Sequence, residues 1–175
     1  MENHFLYVML SGIIQGLTEF LPISSSGHLI MIKDYFDYDI QDFSFEIMLH
    51  LGTVFSILIY YYSDIKNMLK PSTENINNAI LVLIACLPIS IFGLVFKDSI
   101  EQNFNDITYL PYTYLITTFA LFLTKFFNGK KELNIYIVSI MGIFQILALL
   151  PGISRSGITI STLLILGVNK DDAIR

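Results

Sequence analysis

Residues 12–30 read GIIQGLTEFLPISSSGHLI, and residues 142–160 read GIFQILALLPGISRSGITI. When the two stretches are aligned at an offset of 130 residues, nine of their nineteen positions are identical. Each stretch places Pro, Gly and Ser inside an apolar run, which is typical of a helix interrupted at membrane depth. Paired interrupted helices in corresponding halves of a chain indicate a binding site where two repeats meet. We therefore predict two repeats, the first centred on 12–30 and the second beginning at 142–160.

The composition around these stretches places the chain in a membrane. Of its 175 residues, 54% are apolar and only 14% are charged, whereas a soluble domain carries about 25% charged residues. The single cysteine excludes a disulfide scaffold, and the apolar content excludes intrinsic disorder. A net charge of −5 without a basic cluster excludes a nucleic-acid partner. We predict one all-α, polytopic integral membrane domain over residues 1–175.

Apolar stretches of about 20 residues, the length that crosses about 30 Å of hydrocarbon, mark the candidate spans. They lie at 5–32, 44–63, 76–96, 109–127 and 133–168. Lysines concentrate in the connectors 64–75 and 125–132, which the positive-inside rule places in the cytoplasm. The connectors 33–43 and 97–108 are acidic and are expected outside. Because 33–43 directly follows the first motif, the site is expected to face outward.

Apart from Lys125, which lies at the end of the stretch 109–127 and belongs to the connector 125–132, the formally charged side chains inside the apolar stretches are Glu19, Glu46 and Arg155. A charge at membrane depth costs at least about 2.5 kcal/mol unless it is paired or faces a polar cavity, so each indicates function. Arginine offers a planar fork of donors that suits phosphate oxygens. The residues expected to complete an anion cradle at this helix N-terminus are Gly152, Ser154, Ser156 and Gly157. The structural alternative is that Arg155 only pairs with Glu19 or Glu46.

The first repeat carries groups suited to acid, base or metal chemistry. Gln15 and Glu19 are four residues apart and share a helical face, so their oxygens suit a hard divalent ion, magnesium or calcium. Ser25 is a candidate nucleophile, and His28 is either its base or a cap on the broken helix. His50 and Glu46, also four apart, either support this site or are structural.

The strings 15–28, QGLTEFLPISSSGH, and 151–159, PGISRSGIT, closely resemble the two signature motifs of the bacterial undecaprenyl-diphosphate phosphatases, often called the bacitracin-resistance family. Phe45-Glu46 and Leu51-Gly52 also look like the family. The resemblance implies a multi-pass bacterial inner-membrane enzyme with inverted repeats, re-entrant helix hairpins and commonly a homodimer. It also implies hydrolysis of the terminal phosphate of a polyprenyl diphosphate, which recycles the carrier lipid of cell-wall synthesis.

Matching positions carry the family's roles onto this chain. The resemblance implies catalytic roles for Glu19, Ser25, His28 and Arg155, and a divalent-metal motif at Gln15 and Glu19. The remaining substrate-binding positions are Ser24, Ser26, Gly27, Gly152, Ser154, Ser156, Gly157 and Thr159. Gln15 stands where many members have Glu, which argues against a site with two carboxylates.

The length differs from the family pattern. Members continue for roughly another third, with more membrane helices after the second motif, so we expect a fragment or a truncated reading frame with an incomplete second repeat. Two alternatives remain open from the residues: a transporter or flippase for polyprenyl-phosphate lipids, and an inactive fragment of the phosphatase. A transporter would not need a proton-handling group such as His28 beside Ser25.

Overall fold

The computed structural model describes residues 2–38, 43–104 and 106–174. Within these ranges the chain forms α1 (Glu2–Thr18), α2 (Ser25–Tyr35), α3 (Phe43–Tyr60), α4 (Tyr62–Met68), α5 (Thr73–Phe104), α6 (Leu110–Thr124), α7 (Ile135–Phe144), α8 (Arg155–Ile165) and α9 (Lys170–Ile174). Two 3₁₀ turns occupy Ile107–Tyr109 and Gln145–Leu149. The described residues form no β-strand beyond one isolated bridge between Lys131 and Val168, which confirms the all-α prediction.

Two helical stretches of the described chain are long and apolar enough to cross a membrane, Thr73–Phe96 and Ile107–Thr124. Only 11% and 17% of their most apolar windows are buried, so most of their apolar side chains face outward, as lipid-facing side chains do. They correspond to the predicted spans 76–96 and 109–127. The chain is therefore an all-α polytopic membrane protein.

The predicted boundaries differ from the structure at two places. The stretch 44–63 does not form one straight helix. The helices Ser44–Tyr60 and Tyr62–Met68 meet there at an angle of 77°. The predicted connector 97–108 is not a loop throughout, since α5 continues to Phe104. Polar residues therefore extend a helix beyond its apolar part here.

Both motif-bearing stretches are broken, as predicted. In the first, α1 ends at Thr18 and α2 begins at Ser25. In the second, α7 passes into the 3₁₀ turn Gln145–Leu149, and α8 begins at Arg155. The helices α2 and α8 have 11 residues each. At 1.5 Å per residue such a helix is about 16 Å long, about half of a membrane's hydrocarbon core, which is the dimension of a re-entrant segment.

Close helix packing holds the second broken helix in place. Helix α5 packs on α7, and α6 packs on α8. A Cβ atom added to Gly142 would lie 2.7 Å from the backbone oxygen of Ala85, so glycine is what lets α5 and α7 approach this closely. The buried core between these helices includes Ala85, Ile137, Val138, Met141, Leu163 and Val168. The second motif thus adjoins the buried core of the described residues.

Candidate active site

The two aligned motifs adopt the same local geometry. Ser24 caps α2 and Ser154 caps α8, and their hydroxyls accept from the amides of Gly27 at 3.4 Å and Gly157 at 3.1 Å. In each copy the cap hydroxyl also lies 3.2 Å from the hydroxyl of the serine two residues later. The sequence repeat is therefore a structural repeat at its centre, while the inverted orientation of the two units stays a prediction.

The copies differ in backbone strain. Ser24 has φ 64°, in the left-handed region that non-glycine residues rarely adopt, whereas Ser154 has φ −74°. Such strained residues cost of order 1–3 kcal/mol and cluster at functional sites. The strained copy is the one that carries Glu19, Ser25 and His28.

Glu19 lies at the centre of a polar cluster on the first hairpin. Its Oε2 accepts from Ser25 Oγ at 2.5 Å and from Gln15 Nε2 at 3.0 Å. The Nδ1 atom of His50, on α3, lies 2.9 Å from Gln15 Nε2 and 3.7 Å from Glu19 Oε2. Gln15 is buried, while Glu19 is 32% exposed and so accessible to a ligand. The structure thus joins Gln15, Glu19, Ser25 and His50 in one network.

His28 contacts a different set of groups. Its Nδ1 lies 2.7 Å from the Ser24 carbonyl oxygen and 3.1 Å from the Tyr114 hydroxyl on α6. Ser25 therefore donates to Glu19 in this structure, and His28 Nδ1 contacts the helix cap. His28 thus contacts the helix cap through Nδ1, while Nε2 takes part in neither of these contacts and can still exchange a proton.

Arg155 lies at the start of α8 and is exposed. Among the residues that the structure describes, its guanidinium has no carboxylate partner within ion-pair distance. The structural alternative, in which Arg155 pairs with Glu19 or Glu46, is therefore not observed. Thr159 donates its hydroxyl to the Ser156 carbonyl at 3.0 Å within α8, so that hydroxyl is already hydrogen-bonded inside its own helix.

The two hairpins lie against each other at their glycines. A Cβ atom on Gly27 would be 3.0 Å from the Cα atom of Gly152. The Ser156 hydroxyl also donates to the Leu21 carbonyl at 3.4 Å. The loop that presents Glu19 and the loop that presents Arg155 are thus neighbours. Together the two loops can contact a single headgroup that carries two charged groups.

Helix α6 supports the second motif through residues that the motif pattern alone did not indicate. Thr117 Oγ1 accepts from the Ser154 amide at 3.1 Å and donates to the Gly152 carbonyl at 3.4 Å. Thr113 and Thr117 are buried, and Tyr114 contacts His28. A signal was present in the sequence, since positions 113, 114 and 117 share one side of α6 and all three carry hydroxyl groups.

Gly152 is expected to be essential for folding of the second hairpin. It has φ 89°, and a Cβ atom there would lie 2.0 Å from Thr113 Oγ1. A left-handed conformation costs a non-glycine residue about 1–2 kcal/mol, and overpacking adds about 1–3 kcal/mol. We predict that Gly152→Ala clearly lowers the thermal unfolding midpoint of the purified protein in detergent.

Gly16→Ala is the matched control for this prediction. Beyond its chain neighbours and its own helix backbone, no atom of the described residues lies within 4 Å of a Cβ atom at Gly16. Alanine is also favoured over glycine inside a helix by about 1 kcal/mol. This variant is expected to keep or raise the midpoint. Equal midpoints for the two variants would contradict the close packing and left-handed backbone that we assign to Gly152.

The side chains near Glu19 offer carboxylate and amide oxygens, the ligand types that a hard divalent ion prefers, but few of them. No group of three or more His, Cys, Asp or Glu side chains that could hold a metal occurs among the described residues. Magnesium, however, is commonly bound through one or two carboxylates together with substrate phosphates. Gln15 Oε1 is buried without a hydrogen-bond partner in the described chain, and an orphaned acceptor of this kind suits a cation.

Comparisons with known proteins show the family of the chain. The family described as "Bacitracin resistance protein BacA" matches residues 8–175. A protein of Halothermothrix orenii named "Undecaprenyl-diphosphatase" is 38% identical over 172 residues, covering 96% of this chain and 66% of the relative. Proteins of the same name from Thermosipho africanus and Saccharophagus degradans are 38% and 34% identical, covering 94% and 97% of this chain.

In those two relatives the match covers 68% and 69% of the relative's length. The chain thus spans about two thirds of the length of the curated relatives that it matches. The matched region contains both motif-bearing hairpins and the α6 helix between them. The chain belongs to the bacitracin resistance protein BacA family.

Proposed function

We propose that this chain hydrolyses the terminal phosphate of undecaprenyl diphosphate and leaves undecaprenyl phosphate, the carrier lipid of cell-wall synthesis. The relatives' names and the family support this activity. The observation that carries it is the juxtaposition of two hairpins. One presents a serine hydrogen-bonded to a carboxylate, and the other presents an exposed arginine next to two serines.

The second hairpin is suited to bind the diphosphate. The guanidinium of Arg155 offers two parallel donors to phosphate oxygens, and charge-assisted bonds of this kind are about twice as strong as neutral ones. The proposed binding groups beside it are Ser24, Ser26, Gly27, Gly152, Ser154, Ser156, Gly157 and Thr159. Two helix N-termini, of α2 and α8, add their dipoles toward the same anion.

The first hairpin is suited to the chemical step. The Ser25 hydroxyl attacks the terminal phosphorus while Glu19, which already accepts its hydrogen bond, takes the proton. The bond from phosphorus to the bridging oxygen breaks, and His28 gives a proton to that oxygen as undecaprenyl phosphate leaves. Water then hydrolyses the phosphoserine and releases phosphate. In the alternative route, water attacks directly and gives its proton to Glu19.

We propose that Gln15 and Glu19 hold a divalent ion, magnesium or calcium, when the substrate is bound. Such an ion supplies charge neutralisation for the phosphate oxygens in the transition state. The positively charged Arg155 contributes the same kind of stabilisation from the opposite hairpin.

An apolar groove beside the second motif is suited to the prenyl tail. It has a volume of about 440 Å³ and lies between α6 and the α7–α8 hairpin. Its wall includes Leu115, Phe119, Leu147, Ile158 and Ile165, of which Ile158 is one helical turn beyond Arg155. An apolar tail in this groove would place its charged headgroup near the arginine.

We propose the bacterial inner membrane as the location, with the site facing outward and the protein forming a homodimer. The connectors with Lys66 and Lys70 and with Lys125, Lys130 and Lys131 support a cytoplasmic position for those segments. In the acidic connector, hydrogen bonds from Thr108, the backbone amide above all, hold the pKa of the Asp106 carboxyl below its usual range. Cross-linking in native membranes tests the dimer.

The activity is tested with purified protein in detergent, undecaprenyl diphosphate and magnesium. We expect inorganic phosphate to accumulate, to stop on addition of a chelator, and to resume when magnesium is restored in excess. Release that is indifferent to the chelator would contradict the metal proposal while leaving the hydrolysis intact. Tight lipid binding without any release would contradict the hydrolase and favour a lipid carrier.

A further inference from the structure

Tyr114 contacts His28, the residue that donates a proton to the leaving oxygen in the proposed function. It lies on α6, in a different part of the sequence from both motifs. Its hydroxyl is 3.1 Å from His28 Nδ1, and the two rings meet edge to face, with centroids 5.7 Å apart and an interplanar angle of 82°. A perpendicular contact of this kind fixes the plane of the imidazole as well as the position of one nitrogen.

The neighbours of Nδ1 determine where its proton resides. The Ser24 carbonyl oxygen, 2.7 Å from Nδ1, can only accept a hydrogen bond. Nδ1 therefore carries a hydrogen and donates it. A tyrosine hydroxyl can accept as well as donate, so Tyr114 can share the same N–H with Ser24. With Nδ1 occupied in this way, Nε2 is the nitrogen that exchanges the proton during a reaction.

The local structure is built to allow the contact. A Cβ atom on Gly27 would lie 2.6 Å from the Tyr114 hydroxyl oxygen and 3.0 Å from the ring carbon that bears it. The absence of a side chain at Gly27 thus lets the tyrosine reach His28. On the same face of α6, Thr117 accepts from the Ser154 amide and so supports the second hairpin. Helix α6 contacts the catalytic parts of both repeats.

We propose that Tyr114 is a positioning residue for the reaction, which keeps the Nδ1–H of His28 hydrogen-bonded, so that the imidazolium gives its Nε2 proton to the leaving oxygen and returns to the neutral form protonated at Nδ1. This inference rests on the proposed function, in which His28 acts as the acid. Tyr114 touches neither substrate nor reacting atoms and acts through the imidazole alone. Partners that orient metal-bound histidines are commonly worth about 10–100-fold in activity, and we expect an effect of the same order for a catalytic histidine.

Kinetics of Tyr114→Phe provide the first test. Phenylalanine keeps the ring and removes the hydroxyl, and the Ser24 carbonyl remains as the second acceptor, so we expect the lower end of that range, a roughly tenfold fall in kcat. KM should stay within about twofold, because substrate contacts are unchanged. Tyr112→Phe, two residues earlier and on an exposed position of the same helix, is the control and should match the unaltered protein.

Nitrogen NMR of the full chain labelled with ¹⁵N-histidine provides a test that needs no activity. The chain has three histidines, and the His28 signals are those lost in a His28→Asn variant. At a pH where histidine is neutral, we expect the Nδ1–H form for His28, a smaller share of that form in Tyr114→Phe because one of its two acceptors is removed, and no change in Tyr112→Phe.

The two measurements separate this inference from the proposed function. An Nε2–H form of His28 in the unaltered protein would overturn the role of Tyr114 whatever the enzyme does. The same tautomer and the same kcat in Tyr114→Phe as in the unaltered protein would also overturn it. If the chain releases no phosphate, the proposed function fails, and the tautomer measurement still decides whether Tyr114 orients His28.

Discussion

Replacing Glu19 with glutamine is expected to lower kcat for phosphate release by at least about a hundredfold, the usual contribution of a general base. Glu19 Oε2 accepts a hydrogen bond from Ser25 Oγ at 2.5 Å and is therefore placed to take the proton of that hydroxyl. An amide at this position has little basicity. Glutamine keeps the size of the side chain, so helix α1 and the hairpin are expected to form. The measurement is steady-state phosphate release in detergent at saturating lipid.

Two further variants make the interpretation specific. Glu46→Gln removes a carboxylate from an exposed position on α3 and should leave kcat unchanged. Ser25→Ala should cost nearly as much as Glu19→Gln, and the double variant little more than either, because a nucleophile and its base act as a unit. If Ser25→Ala keeps full activity while Glu19→Gln does not, direct attack by water is the route. Full activity in both would contradict the proposed roles of this hairpin.

Replacing Arg155 with alanine is expected to reduce phosphate release by about 10³-fold, as for other arginines that stabilise a transferring phosphoryl group. The guanidinium has no ion-pair partner among the described residues, so its removal leaves no buried carboxylate unpaired. Membrane insertion and the unfolding midpoint should therefore be unchanged. Arg155→Lys keeps the charge but loses the planar fork, and an intermediate rate is expected.

Lys125→Ala is the control for loss of a positive charge. Lys125 lies at the exposed end of α6, outside the region of the two hairpins, and its removal should not alter the rate. A rate for Arg155→Ala close to that of the unaltered protein would eliminate the phosphate-binding role. A loss of insertion in Arg155→Ala would instead point to a structural role for this arginine.

The sequence predicted the broken helices because Pro, Gly and Ser interrupt two apolar runs at matching positions. That inference uses local information, and the repeated cap of Ser24 and Ser154 confirms it. The bend at Tyr61 was not predicted, because the residues around it contain neither Pro nor Gly. Its position depends on contacts between helices that a single sequence does not contain.

The residue types of the site were predicted more fully than the contacts between those residues. Spacing alone left two roles open for His28, the base of Ser25 three residues away on the same helix or a cap on the broken helix. In the structure the turn 19–24 brings Glu19 back to Ser25, and His28 contacts Tyr114 from α6. Both contacts depend on how separate elements pack, so composition and periodicity could not supply them. Thr117 was missed for the same reason.

The central claim is that the two hairpins form one phosphatase site, and a β-³²P-labelled undecaprenyl diphosphate tests it most directly. The unaltered chain is predicted to convert the label to inorganic phosphate, with one undecaprenyl phosphate formed for each phosphate released. Glu19→Gln and Arg155→Ala should each leave the label on the lipid. Label that stays on the lipid with the unaltered chain, or that appears as inorganic diphosphate, would contradict the account.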